Sequence, residues 1–230
     1  MLAAAAAGTL LTSCAGEEPQ AAVAAGRDSG GERGEESARA SGPGDAVDPE
    51  ASWVVAVTDK GGAFGFLGHQ HAILVTDWRA EIDWRPDAPA DSHARFAVPA
   101  ASLRIDTERG RQLAGLGEGP DAGTVHELQT KMLDAEHLAA ERHAEIVFEV
   151  TGVERGEEGR FTVEGQLTLR GTARKLRFPV EVSRQEGGVR FTGEVTVKQT
   201  DFGIQPESVA GVVKVADPVS IRFQVTTRPR

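Results

Sequence analysis

Few residues in this chain have types and spacing that could do chemistry, and the sharpest group is Gly68-His69-Gln70-His71. On a β-strand, residues i and i+2 point to the same side. His69 and His71 could therefore offer two imidazole nitrogens to one metal ion. Structural or catalytic zinc needs three or four protein ligands. The other histidines are His93, His126, His137 and His143, and the single cysteine, Cys14, is distant in sequence. A metal-binding stress protein or metallochaperone built on His69 and His71 is one reading, and exposed or turn histidines are the other. Glu81 and Asp83 could mimic a catalytic carboxylate pair, although alternating charge on a solvated strand face is the commoner origin of that pattern. The chain has no G-x-S-x-G elbow, no H-E-x-x-H, no Walker A loop and no G-x-G-x-x-G after a strand. No enzymatic activity, catalytic residue or cofactor is expected.

Cys14 has a different meaning. Met1 to Leu11 is apolar and small, too short to anchor by spanning a bilayer, which takes about 20 residues. It fits the apolar region of a secretory signal peptide. Leu11-Thr12-Ser13-Cys14 follows and resembles the lipobox of bacterial lipoproteins, in which the Cys is lipidated and becomes the new N-terminus. No base precedes the apolar run, the first being Arg27; either the true start lies upstream or the signal is inactive. The expectation is an exported lipoprotein, anchored in the membrane through Cys14 and facing the periplasm or cell surface. Residues 15–50 contain no Leu, Ile, Met or aromatic residue. Such a segment cannot bury enough apolar surface to order itself, so it reads as a disordered tether reaching about 30–35 Å. The expected division is a signal peptide with lipobox over 1–14, the tether over 15–50 and a folded domain over 51–230.

The 230 residues carry 25 Lys and Arg against 35 Asp and Glu, a net charge of −10, and are 40% hydrophobic. That acidic balance argues against a nucleic-acid partner, since phosphate backbones need clustered bases. Residues 1–50 hold nine acids and three bases, so −6 of the charge lies in the tail and −4 in the rest. One cysteine excludes an intramolecular disulfide and a Cys-rich zinc module.

From Trp53 onward the texture is period-two alternation, the mark of half-buried strands. The longest run is His71 to Trp84, with Leu74, Thr76, Trp78, Ala80, Ile82 and Trp84 on one parity and Asp77, Arg79, Glu81 and Asp83 on the other. By that parity His69 and His71 fall on the charged, outward face. Ile146, Phe148 and Val150 alternate likewise. So do Phe161, Val163, Leu167 and Leu169, then Leu176, Phe178, Val180 and Val182. Val189, Phe191, Val195 and Val197 follow, then Val219, Ile221, Phe223 and Val225. Trp53–Thr58 and His93–Val98 are weaker candidates. About eight strands result, joined by Gly-rich links such as Arg155 to Gly159 and Gln185 to Gly188, which read as hairpin turns. Between the third and fourth strands, residues 108–142 carry Val125, Leu128, Met132 and Leu133 at helical spacing, with Asp134 placed to cap a further turn.

Antiparallel strands with one apolar face each pack as a sandwich or close into a barrel. A barrel of about eight strands is either filled by side chains or holds one small ligand. The inward positions of the clearest strands hold no Asp, Glu, Lys or Arg, so any cavity is apolar and suits a hydrocarbon chain. The candidate lining is Leu74, Trp78, Ile82, Phe148, Leu167, Phe178, Val180, Phe191 and Phe223.

Three segments resemble the YceI-like domain family. Met132-Leu133-Asp134-Ala135-Glu136-His137-Leu138 followed by Ala144-Glu145-Ile146-Val147-Phe148 is similar to its helix-then-strand signature. Gly165 to Arg174, GQLTLRGTAR, is similar to its Gly-x-Leu-Thr-Leu-x-Gly hairpin. Val197 to Ile204, VKQTDFGI, is similar to its Asp-Phe-Gly-Ile segment. They stand in family order over about 170 residues. The resemblance implies one extended antiparallel β-barrel of lipocalin-like shape, located in the cell envelope. It also implies a polyisoprenoid or similar amphiphile as the bound partner. The family's frequent Tyr-Pro before the fourth strand is Arg142-His143 here, and the chain has no Tyr.

Overall fold

The computed structural model describes residues 46–61, 70–206, 208–209 and 213–228. The strands are β1 (Trp53–Gly61), β2 (His71–Val75), β3 (Arg79–Asp83), β4 (His93–Pro99), β5 (Leu103–Ile105), β6 (Glu145–Arg155), β7 (Arg160–Leu169), β8 (Thr172–Gln185), β9 (Gly188–Lys198), β10 (Ser208–Val209) and β11 (Val213–Thr226). Two helices, α1 (Glu108–Ala114) and α2 (Ala122–Leu133), lie between β5 and β6. Ten strands form one path, β3-β4-β6-β7-β8-β9-β11-β1-β2-β5, and β10 pairs with β11. Every ladder is antiparallel. This is the all-β, lipocalin-like barrel that the alternation and the resemblance lead one to expect, with eleven strands among the described residues in place of about eight and the helical excursion after the fifth strand in place of the third.

The hairpins follow from local chemistry. Arg170 and Gly171 join β7 to β8 with φ of 51° and 70°, and Leu169 pairs with Thr172. Two residues at positive φ match the right-handed twist of the flanking strands.

The run His71–Trp84 is not one strand. Thr76, Asp77 and Trp78 leave the ladder, which sends β3 to one end of the path and β2 next to β5 at the other. The same seam is crossed again between β4 and β5 by the 3-10 turn Ala100–Ser102. Two side chains bridge it: Thr76 Oγ1 donates to the Ser102 carbonyl at 2.6 Å, and Ser102 Oγ donates to the Asp77 carbonyl at 3.0 Å. The break also shifts the parity. In β2 the odd residues Ile73 and Val75 face the barrel interior; beyond it the even residues Trp78, Ile82 and Trp84 do.

The other face of β2 is apolar too, and α1 covers it. Val55, Val57, Ala72 and Ala114 form a buried cluster against Trp53, Leu113 and Leu116. Gly110 makes this close packing possible. A Cβ there would stand 3.2 Å from the Leu74 Cβ and 2.9 Å from Thr107 Oγ1, the hydroxyl that caps the helix by accepting from the Gly110 N–H. Helix α2, capped by Asp121, stands at the β5 edge. Gln129 accepts from the Ile105 N–H at 3.0 Å and donates to the Leu103 carbonyl at 2.9 Å, so its amide stands where a further strand would pair.

Residues 46–50, which composition groups with the tether, are held by the C-terminal strand. Val47 bridges Thr227, the Asp48 N–H donates to the Thr226 carbonyl at 2.8 Å, and Arg228 donates to Asp48 Oδ1 at 2.9 Å.

Candidate functional site

The barrel encloses a cavity of about 440 Å³ whose wall is almost entirely aliphatic and aromatic. Its lining follows strand parity. Strand β6 contributes Ile146, Phe148 and Val150, and a bulge between Val150 and Gly152 turns Val153 inward as well. Strand β8 contributes Leu176, Phe178, Val180 and Val182.

Aromatic rings run across the wall in an unbroken series. Trp78 stacks on Phe96 with centroids 5.8 Å apart, Phe96 meets Phe148 at 6.4 Å, Phe148 meets Phe178 at 5.7 Å, and Phe178 meets Phe223 at 6.0 Å. At one end Trp84 packs edge-on to Phe161 and Phe191 at 5.0 and 5.3 Å. Two glycines at inward parity make room for this series. A Cβ at Gly165 would fall 2.4 Å from Phe148 Cζ, and one at Gly193 would fall 2.6 Å from Phe223 Cζ. The rings thus lie flat over bare backbone, covering positions where alternation alone would place a side chain.

Polar side chains line both ends: Asp83, Ser92 and His93 stand beside Trp84, and Thr58, His71, Lys131 and His137 stand at the other. His71 donates through Nδ1 to Asp106 Oδ2 at 2.6 Å, and Asp106 Oδ1 accepts from Arg111 Nη1 at 2.7 Å and from the Ala72 N–H at 3.0 Å. The Asp106 side chain has no exposed surface, while those of His71 and Arg111 are 14% and 11% exposed. Burial alone would raise the Asp106 carboxyl. The hydrogen bonds from His71, the Ala72 N–H and Arg111 outweigh it and hold the group below the usual carboxylate range. At the C-terminus of α2, Asp134 accepts from the N–H groups of Glu136 and His137 and bonds the His137 ring at 2.9 Å. The bond from the His137 ring is the main reason that its carboxyl also lies low. Asp134 thus organises the turn expected after the helix, and His137 and Leu138 on that turn reach the cavity.

Of the residues named from alternation, Trp78, Ile82, Phe148, Leu167, Phe178, Val180, Phe191 and Phe223 all face the cavity. Leu74 is a correction. It packs beneath α1 on the barrel's outer side, because the three-residue break at 76–78 reverses the parity of β2. His71 is corrected for the same reason: it faces inward, not toward solvent. His69 and Cys14 lie outside the described residues. Among those described, no group of three or more His, Cys, Asp or Glu residues is placed to hold a metal ion, and the His71 Nδ1 is occupied by Asp106. The alternation also missed Thr58, Phe96, Met132 and Phe202, which line the cavity. Phe202 sits in the 3-10 turn Gln199–Phe202 and Met132 on α2, where period two carries no signal.

Solved structures share this architecture. Burkholderia cenocepacia BcnA superposes with a TM-score of 0.62 at 18% identity, covering 79% of this chain and 99% of its own. A polyisoprenoid binding domain from Saccharophagus degradans, implicated in plant cell wall breakdown, gives 0.55 at 13% identity, covering 80% of this chain and 98% of its own. The Campylobacter jejuni YceI protein gives 0.53 at 15%, covering 69% and 84%. No curated protein sequence matches the chain significantly. At these identities the superpositions speak for the fold alone, but the YceI-like domain model matches residues 46–227, nearly the whole described barrel. The chain belongs to the YceI-like family.

Proposed function

We propose that this barrel is a lipid-binding protein of the cell envelope that holds a polyisoprenoid or similar long amphiphile in its cavity, and that it is not an enzyme. The observation that carries the reading is the wall itself: a series of rings from Trp78 to Phe223 enclosing about 440 Å³. Hydrocarbon gains about 0.8 kcal/mol for each methylene moved from water into such a space. That is roughly fourfold in Kd per carbon, so a branched C20 tail suffices without ionic contacts. The description of the Saccharophagus degradans neighbour as a polyisoprenoid binding domain supports the same chemistry. The lipobox-like Leu11-Thr12-Ser13-Cys14 supports export and a lipid anchor on Cys14. A barrel so anchored would work beside the membrane from which its ligand comes.

The test is a titration with isoprenoid alcohols of increasing length. It is read by the fluorescence of Trp78 and Trp84, two of the three tryptophans, both of which line the cavity. Affinity should climb with each added unit and level off once the cavity is full. Length-independent or unsaturable signals would overturn the proposal.

A further inference from the structure

The end of the cavity at Thr58 and His71 contains an unmet hydrogen-bonding requirement. Strands β1 and β2 pair with Thr58 directly opposite His71, and both side chains face the cavity. Directly opposed side chains on one face have Cβ atoms about 4.5–5.5 Å apart. Thr58 is 9% exposed, and its Oγ1 has no hydrogen-bond partner among the described residues. Folded proteins rarely leave a buried hydroxyl unpaired, because its desolvation is then uncompensated.

His71 beside it is held in one orientation. Asp106 anchors its Nδ1, and Asp106 is itself fixed by the Ala72 N–H and by Arg111. Arg111 is tied in turn to the carbonyls of Gln70, Gly117 and Glu118. The Asp106 backbone sits at φ 49°, and its own N–H donates to the Ala72 carbonyl at 2.7 Å. A non-glycine residue kept in the left-handed region is a cost that packing must sustain. An ionised Asp106 makes Nδ1 the protonated nitrogen of the neutral ring, leaving Nε2 as a lone-pair acceptor. No described residue donates to Nε2.

We infer that Thr58 and His71 form the head-group site of the bound lipid, and that the head they take is an uncharged hydroxyl, so the ligand is a long-chain alcohol. This deepens the carrier reading above and rests on it. A hydroxyl donates to His71 Nε2 and accepts from Thr58 Oγ1–H, completing both groups at once. A phosphate or diphosphate head would gain one hydrogen bond from the Thr58 hydroxyl, but its other oxygens would face the His71 Nε2 lone pair with no donor to meet them. The guanidinium at this corner is already matched by Asp106, and Lys131 on α2, which also lines the cavity, is partnered. A bare hydrocarbon would leave both polar atoms unpaired. The tail then runs from Thr58 along the ring series toward Trp84.

The experiment compares three C20 probes on the full chain: geranylgeraniol, geranylgeranyl diphosphate and the corresponding hydrocarbon without a head. The alcohol should bind about tenfold or more tighter than either of the others, a difference of about 1.4 kcal/mol. Thr58→Val should erase its advantage over the hydrocarbon, leave hydrocarbon binding equal or stronger, and raise the melting temperature of the empty protein. Equal binding of alcohol and hydrocarbon overturns the head-group site while leaving the carrier reading intact. So does preference for the diphosphate, or an alcohol advantage that survives in Thr58→Val, or a lower melting temperature for that variant. Failure of all three probes to bind overturns both.

Discussion

Replacing Phe178 with Asp puts the inward assignment under its hardest test. The side chain is buried, with its ring 5.7 Å from Phe148 and 6.0 Å from Phe223. Losing a buried ring costs about 3–5 kcal/mol. The new carboxyl adds a second penalty, because an apolar surround disfavours its charged form and raises its pKa. A rise from about 4 to about 7 would cost roughly 4 kcal/mol at neutral pH, at about 1.4 kcal/mol per unit. The sign follows from linkage: the folded state binds the proton more tightly than the unfolded chain. The penalty is therefore absent below the unfolded value near 4 and grows as pH rises toward the folded value. Together the losses reach about 7–9 kcal/mol, within the whole stability of an ordinary domain, about 5–15 kcal/mol. Thr192→Asp is the control. Thr192 stands on the outer parity of β9, opposite Glu181 and Gln224, where a like charge costs at most about 1 kcal/mol. Urea unfolding followed by circular dichroism at pH 7 and pH 4.5 reads both variants beside Phe178→Ala. If Phe178→Asp and Thr192→Asp unfold at the same urea concentration, Phe178 does not face apolar space. If acid fails to narrow the gap between Phe178→Asp and Phe178→Ala, the carboxyl is hydrated and the cavity is not the apolar space described.

Other expectations follow from the same geometry. Asp106→Asn leaves Arg111 without its buried counter-charge and should cost about 3–5 kcal/mol in chemical unfolding. The lowered Asp106 carboxyl contributes stability that is present above the unfolded value near 4 and lost as pH falls through the lower folded value; the variant should therefore lose less than wild type below pH 4, and an unchanged acid limb would contradict this. Gly193→Ala places a Cβ 2.6 Å from Phe223 Cζ and 3.0 Å from the Pro179 carbonyl. It should lower stability by about 1–3 kcal/mol, and Phe223→Leu in the same chain should recover part of the loss in a melting experiment. Cys14→Ser should move the protein from the membrane to the soluble fraction, and unchanged fractionation would rule out an anchor at Cys14.

Strands β6 to β9 and β11 were legible because each alternates apolar with polar residues, and one-sided burial leaves that imprint. Ala72-Ile73-Leu74-Val75 was not, for a physical reason: α1 covers one face and the cavity takes the other, so four successive residues are apolar and carry no phase. The neighbouring run from Trp78 lent its parity to this stretch, and the break at 76–78 made that parity wrong for Leu74 and His71 together. The short strands β5 and β10 were absent from the reading because three and two residues are too few to show a period. Phe148 and Phe223 were recognised as inward, but not the glycines beneath them, since a missing side chain looks like an interruption of the pattern. The Thr58–His71 corner depends on the register of two strands and on a carboxylate 35 residues away from His71, and neither can be counted along the chain.

A cavity that holds a long isoprenoid-type chain should carry that chain through purification. The most direct measurement is mass spectrometry of organic extracts from the Cys14→Ser variant, made in a bacterial host and purified without detergent, so that no covalently attached lipid is counted. One polyprenyl species is expected, near one per protein, that disappears from Phe178→Asp and persists in Thr192→Asp. Extracts containing no lipid, or the same mixed membrane lipids from both variants, would contradict it.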